Sequence, residues 1–280
     1  MRNFARFALV ALASLAAGCS AMRVAYDNAD TFLRWRATSY LDLHGEALDD
    51  LGERIDAFHA WHREQALPQY ARLATQAAAR VEGGLAPADI VWGYDAFMAQ
   101  AMVLLREAAE RIAPVLDALA PEQIAHLEAR FAEDNRRFAR ENMKGSDQDR
   151  RKLRFRRTRE RLDDWLGSLS DGQVALVREF AERSPLFDEL RDRERKRLQG
   201  EIVALARAKE ARKRLPALAA GWQQGRDPAY AAASDAFRDR YFALLADLDK
   251  TLSAAQRAHL AGRLRGYAED FDALSKGRAQ

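Results

Sequence analysis

The chain has 280 residues, 45 lysines and arginines against 42 aspartates and glutamates, and a single cysteine. That length accommodates one large domain or two smaller ones. One cysteine excludes a disulfide framework, and the near balance of charge excludes a chain drawn as a whole to nucleic acid.

The chain opens with Arg2 and Arg6, an apolar stretch from Phe7 to Ala17, and small residues before Cys19 in LASLAAGCS, which is the form of an export signal. About 20 apolar residues are needed to span a bilayer, so this stretch is too short to remain as a transmembrane helix. LAAGC resembles the lipobox of bacterial lipoproteins, although Leu15 lies one place further from Cys19 than usual and Ala16 fills leucine's commonest place. The resemblance implies that residues 1–18 are a cleaved signal peptide and that Cys19 carries diacylglycerol and a further acyl group such as palmitate. Several chains, each contributing ~0.8 kcal/mol per buried methylene, anchor firmly. By the sorting rule of such lipoproteins, Ser20 implies an outer-membrane protein facing the periplasm. Without the leader, 43 basic residues stand against 42 acidic ones, because Arg2 and Arg6 leave with it.

The mature chain, 19–280, reads as an all-α, elongated multi-helix bundle of about ten helices with no β-sheet. Alanine, leucine, arginine and glutamate dominate, and apolar residues recur at helical spacing. The first helix spans about 22–42 and the second about 45–65. The second carries an apolar seam, Leu48, Leu51, Ile55, Phe58 and His62, spaced three and four apart. Asp56, His59 and His62 are three apart, a spacing that admits a metal, but no third ligand follows on another helix, and the reading adopted is a hydrogen-bonded histidine with no cofactor. Trp61, His62, Arg63, Pro68 and Tyr70 then form the candidate interaction motif, read as a packed helix-turn-helix corner in which Arg63 caps carbonyls or pairs with an acid. Pro68 opens a helix at about 68–82. The next, about 87–118, contains Pro114, which is expected to kink it.

Helices follow at about 121–143, 147–166, 170–183, 185–215, 227–249 and 253–275, punctuated by proline and glycine. The polar breaks near 145–149 and 221–228 are the candidate internal boundaries, the first dividing the chain into two subdomains. Arg136 to Arg161 holds 12 basic residues against four acidic, and Arg191 to Arg214 ten against four. The first run includes RRKLRFRRTRERL, Arg150 to Leu162. Such faces either pair with acidic helices or stay positive, in which case contact with anionic lipid or acidic protein segments follows.

One pattern recurs: a leucine, three variable residues, a glutamine, then apolar residues one, four and eight places on. It occurs at Leu119 to Gln123, Leu169 to Gln173 and Leu252 to Gln256, with Arg257 standing in the first apolar place of the last copy. A degenerate copy runs from Leu43 to Ala47. The copies start 76, 50 and 83 residues apart, which excludes an evenly stacked solenoid. Ser170 with Gln173, and Ser253 with Gln256, have capping-box spacing, and Pro121 suits a first helical turn.

LSxxQ is similar to the LTxxQ motif of the periplasmic helical chaperones Spy and CpxP, and this resemblance implies ATP-independent client binding. A broader set, Tyr26, Asn28, Asp30, Trp35, Tyr40 to Leu43, WHREQALPQY and RLDDWLGSLSDGQ, resembles a bacterial lipoprotein family whose domain has no assigned function. That likeness implies lipidation and an all-helical envelope domain, though Ala47 departs from the family's glutamine. No nucleophile elbow, phosphate-binding glycine loop or zinc-protease motif occurs, so the chain is read as no enzyme, with no catalytic residues. Three readings remain, in order of preference. The first is a lipid-anchored helical protein that holds envelope proteins without ATP. The second is a structural scaffold with one specific protein partner, and the third is an envelope hydrolase. The expected partners are the membrane, through acyl groups on Cys19, and envelope proteins, but not nucleic acid.

Overall fold

The computed structural model describes residues 23–277, so the leader, Cys19 and Ser20 lie outside the described residues. Eleven α-helices and one π-turn follow a short helical turn at 23–27, and no strand occurs among the described residues. They are α1 (Ala29–Leu41), α2 (Glu46–Trp61), the π-turn (His62–Ala66), α3 (Leu67–Gly83), α4 (Pro87–Ala118) and α5 (Pro121–Asn142). Then come α6 (Asp147–Leu166), α7 (Asp171–Arg183), α8 (Asp188–Ala208), α9 (Ala211–Ala220), α10 (Pro228–Thr251) and α11 (Ala254–Lys276). The fold is an all-α multi-helix bundle.

Three elements differ from the sequence reading: the helix expected over about 22–42 is interrupted at Asn28, φ −105° and ψ 10°, into the turn at 23–27 and α1, and two others depart for local backbone reasons. The corner expected at Trp61–Tyr70 is not a turn between two helices. Pro68 has no N–H to return to residue 64, and the chain stays helical by widening one turn, with Leu67 N–H donating to His62 O five residues back. The single helix expected over 185–215 is two helices. Lys209 adopts the left-handed conformation, φ 56°, and its N–H donates to Ala206 O and Leu205 O, ending α8 before α9 starts. α9 is then capped from a distance: Asp117 of α4 accepts from Ala211 N–H at 2.6 Å and Arg212 N–H at 3.1 Å. Pro114 lies inside α4, which continues past it to Ala118, so this proline does not end its helix.

Two hydrophobic clusters hold the bundle. The first gathers Leu41, Leu43 and Leu51 from the α1–α2 region, Ala113 and Leu116 of α4, Leu119, Ile124 and Leu127 around α5, and Val203 to Leu215 from α8 and α9. The second gathers Leu162 and Leu166 of α6, Val177 and Phe180 of α7, and Leu244 and Leu248 of α10, with Leu260 of α11 against them. The chain leaves the first cluster at the break around Gly145, builds α6 and α7 into the second, and comes back to the first with α8. α3 packs along α11. Their junction with α10 is ionic: Arg257 donates to Val81 O and to Asp249 Oδ1, both at 2.7 Å, while Leu85 N–H donates to Asp249 Oδ2 at 3.0 Å.

Candidate functional site

The corner around the π-turn collects most of the residues the sequence singles out. Tyr26 OH lies 2.9 Å from His62 Nδ1, and its ring centroid is 4.6 Å from that of His59. Arg63 Nη1 donates to Gly277 O at 2.9 Å and Nη2 to Asp27 Oδ1 at 3.3 Å, so its guanidinium ties the entering chain to the end of α11. Trp61 stacks on Phe58 at 5.8 Å, with Arg111 over both rings. Tyr70, two residues past Pro68, meets His62 at 5.5 Å and Phe271 at 5.7 Å. From Phe271 the aromatic contacts continue through Tyr267 to Trp165 of α6. The motif reading missed Tyr267 and Phe271. Their spacing of four puts both on one face of α11, which was the available signal.

Chemically the corner is a clamp. Burial and the neighbouring His59 hold the His62 imidazole down to about 4, and burial pushes the Tyr26 hydroxyl up to about 12. Near neutral pH the ring is therefore neutral and the phenol keeps its proton, and the two share one hydrogen bond. Neither group changes charge where a general acid or base must. Asp56 is taken by Arg34, Nη2–Oδ2 2.5 Å, and His126 contacts Ser39 O on another part of the fold.

The recurring boxes come together in pairs, which the sequence did not reveal. Gln173 and Gln256 each accept their own cap's N–H, from Ser170 at 3.0 Å and Ser253 at 3.1 Å. Ser170 Oγ and Ser253 Oγ accept from the glutamine N–H groups in return, at 3.3 and 3.1 Å. The two side-chain amides then bond reciprocally, Nε2 to Oε1, at 3.0 and 2.9 Å. Each spare N–H reaches the carbonyl just before the partner copy's leucine: Gln173 to Thr251 O at 3.1 Å, and Gln256 to Ser168 O at 3.0 Å. Gln123 does the same to the degenerate copy, donating to Asp42 O, the residue before Leu43, at 3.0 Å. Ala47 gives nothing back. The uneven intervals thus resolve into two pairs, Leu43 with Leu119 and Leu169 with Leu252, one pair at each hydrophobic cluster.

The basic runs are largely spent inside the fold. On α6, Arg154 donates to Ser184 O and Pro185 O, both at 2.9 Å, and Arg151 to Ser184 O at 3.1 Å, covering the carbonyl end of α7. Arg157 reaches Asn142 Oδ1 at 2.8 Å at the end of α5, and Arg150 pairs with Asp147 and Glu189. Such donors satisfy the last carbonyls of a helix and complement its dipole. On α8, Arg197 pairs with Glu194 at 2.6 Å and holds that buried carboxyl below the usual carboxylate range, and Arg195 covers Phe138.

What remains open is apolar. The first half of α4, Ile90 to Leu105, carries one charged residue, Asp95. Ile90 is buried, Tyr94 meets Phe242 at 5.4 Å and Trp222 Nε1 donates to Met102 Sδ. Val91, Phe97, Val103 and Leu105 nevertheless stand 44 to 68% exposed. A groove of about 580 Å³ between α5 and α8 is lined by small residues, among them Ala132 and Gly200, and by Arg136, Lys196 and Arg207.

The model of a family of unknown function (DUF6279) matches residues 39–226. No curated protein and no solved structure matches the chain.

Proposed function

For this chain, which belongs to DUF6279, a family of unknown function, we propose a lipid-anchored, periplasm-facing helical binding protein that holds partly folded envelope proteins without ATP. The observation that carries this reading is the exposed apolar surface of α4, where Val91, Phe97, Val103 and Leu105 face solvent in a helix anchored at its other half in the core. These side chains are spread around α4 rather than aligned on one face, and large apolar groups held in water cost free energy unless something covers them. Non-native protein segments offer apolar surface of no fixed shape, and a rigid helix studded with phenylalanine, valine and leucine binds them without needing a shaped pocket. The anchor, acyl groups on Cys19, confines such holding to the outer-membrane surface, where newly exported chains arrive.

The test is suppression of thermal aggregation of two unrelated proteins by the purified protein in the absence of nucleotide. Protection by the wild type, lost in Phe97→Ser/Val103→Ser while the helical circular-dichroism signal is kept, supports the proposal. No protection overturns it, and a single partner co-purifying in fixed stoichiometry under those conditions selects the scaffold reading instead. The anchor is tested separately: wild type should incorporate labelled fatty acid and Cys19→Ala should not.

A further inference from the structure

The N-terminal helical segment presents a second open face, which differs in kind from that of α4. Val24, Asn28, Thr31, Phe32 and Trp35 are all exposed and follow one another at i, i+4, i+7, i+8 and i+11, a single stripe about 16 Å long. Phe32 and Trp35 stand side by side, ring centroids 5.8 Å apart, with 59 and 62% of their surface in solvent, and Val24 is 62% exposed. No charged residue lies in the stripe. Three charged residues of the segment are paired with the body instead: Arg23 with Asp270 at 3.0 Å, Asp27 with Arg63, and Arg34 with Asp56. Those contacts hold the helix against α2 and α11 and fix which side faces outward.

We propose that the Val24–Phe32–Trp35 stripe lies on the bilayer that holds the acylated Cys19, embedding its two aromatic rings at the lipid interface and setting the orientation of the whole bundle. This rests on the lipid-anchor reading of Cys19. Cys19 precedes Val24 by five residues, so a fully extended connection places the stripe's start at most about 18 Å from the anchored atom. A cysteine carrying acyl chains sits at the interface by necessity, and the first part of the fold within its reach is the uncharged aromatic face. Tryptophan and phenylalanine on an otherwise polar-sided helix settle about 5–10 Å into the headgroup boundary. The absence of lysine or arginine from the stripe makes the contact apolar, with little dependence on anionic lipid.

The full-length lipidated protein is reconstituted into phosphatidylethanolamine–phosphatidylglycerol vesicles whose acyl chains are brominated near the headgroup. Flotation of the vesicles reads the anchor, and tryptophan quenching reads the face. Wild type is expected to float and to lose fluorescence to the bromolipid, and most of that quenching should disappear in Trp35→Phe, since the other four tryptophans belong to the body. Phe32→Ser should float as wild type does but show weaker quenching. Flotation with equal quenching in wild type and Trp35→Phe overturns the docking proposal and leaves the anchor standing. Failure of wild type to float overturns the anchor, and the docking with it. Shielding of Trp35 from aqueous iodide that rises with protein concentration, without bromolipid quenching, assigns the stripe to a second copy and also overturns the proposal.

Discussion

The imidazole of His62 couples the corner's packing to pH. Held down to about 4 by burial and His59, it is neutral in the folded chain at pH values where the unfolded chain's histidine, with its ordinary pKa of 6.5, is already charged. Between about 6.5 and 4 the unfolded state binds the extra proton, so stability falls as pH drops through that window and the loss levels off below it. Above 6.5 the ring contributes no pH dependence. Urea midpoints measured from pH 7.5 to 4 should therefore fall more steeply for wild type than for His62→Gln, which keeps a hydrogen-bonding group but cannot titrate. Parallel curves would mean that the fold does not hold this ring neutral. Tyr26→Phe removes the hydrogen bond between Tyr26 OH and His62 Nδ1 and should cost about 1 kcal/mol in the same measurement at pH 7.5, largely by loosening the turn at 23–27.

At the scale of helices, the glutamine boxes join what their sequence spacing only starts. A box fixes the first turn of its own helix through contacts three residues apart, and that local half was legible because serine and glutamine at this spacing have few other uses. The other half was not, because the amide's remaining donor goes to a backbone carbonyl 78 residues away in the case of Gln173, and no local pattern marks a carbonyl as an acceptor. The π-turn and the left-handed Lys209 escaped for a related reason: lysine does not advertise a helix end, and Pro68 at the start of a helix reads as a boundary whether or not the previous helix stops. Gln173 is buried, so Gln173→Ala strands Thr251 O and half of the Gln256 amide as well as undoing a cap. A loss of about 2–3 kcal/mol follows in chemical denaturation. The double variant Gln173→Ala/Gln256→Ala should cost at least about 0.5 kcal/mol less than the sum of the singles, because the two amides share one pair of bonds, and strict additivity would show that they do not act together. Gln123→Ala should cost less than Gln173→Ala, since Ala47 leaves its pair with bonds in one direction only.

At the scale of the molecule, the order of elements along the chain and their order in space part company. Composition and periodicity were sufficient for the all-helical architecture, because an amphipathic helix announces itself locally. Which helices share a core depends on side chains that meet from distant parts of the chain, and no single sequence displays that. The consequence is testable at the break around Gly145. Cutting there separates α1–α5 from α6–α11 in sequence, yet α8 and α9 supply Val203, Leu205, Ala206, Ala211 and Leu215 to the first cluster, and Asp117 of α4 caps α9. α3 likewise lies along α11 and is fixed to it by Arg257 donating to Val81 O. Each piece therefore lacks a wall of its own core. With a specific protease site placed between Gly145 and Asp149, the cleaved halves should stay together through gel filtration at the size of the intact chain and part only in denaturant, with one transition rather than two. The piece ending at Gly145, expressed alone, should be poorly helical and should bind a dye for exposed apolar surface, because the leucines of α4 and α5 would face water in place of α8 and α9. A stable, well-packed N-terminal piece would show that the first cluster closes without the returning helices, and that the interleaving is an accident of connection rather than what holds the bundle together.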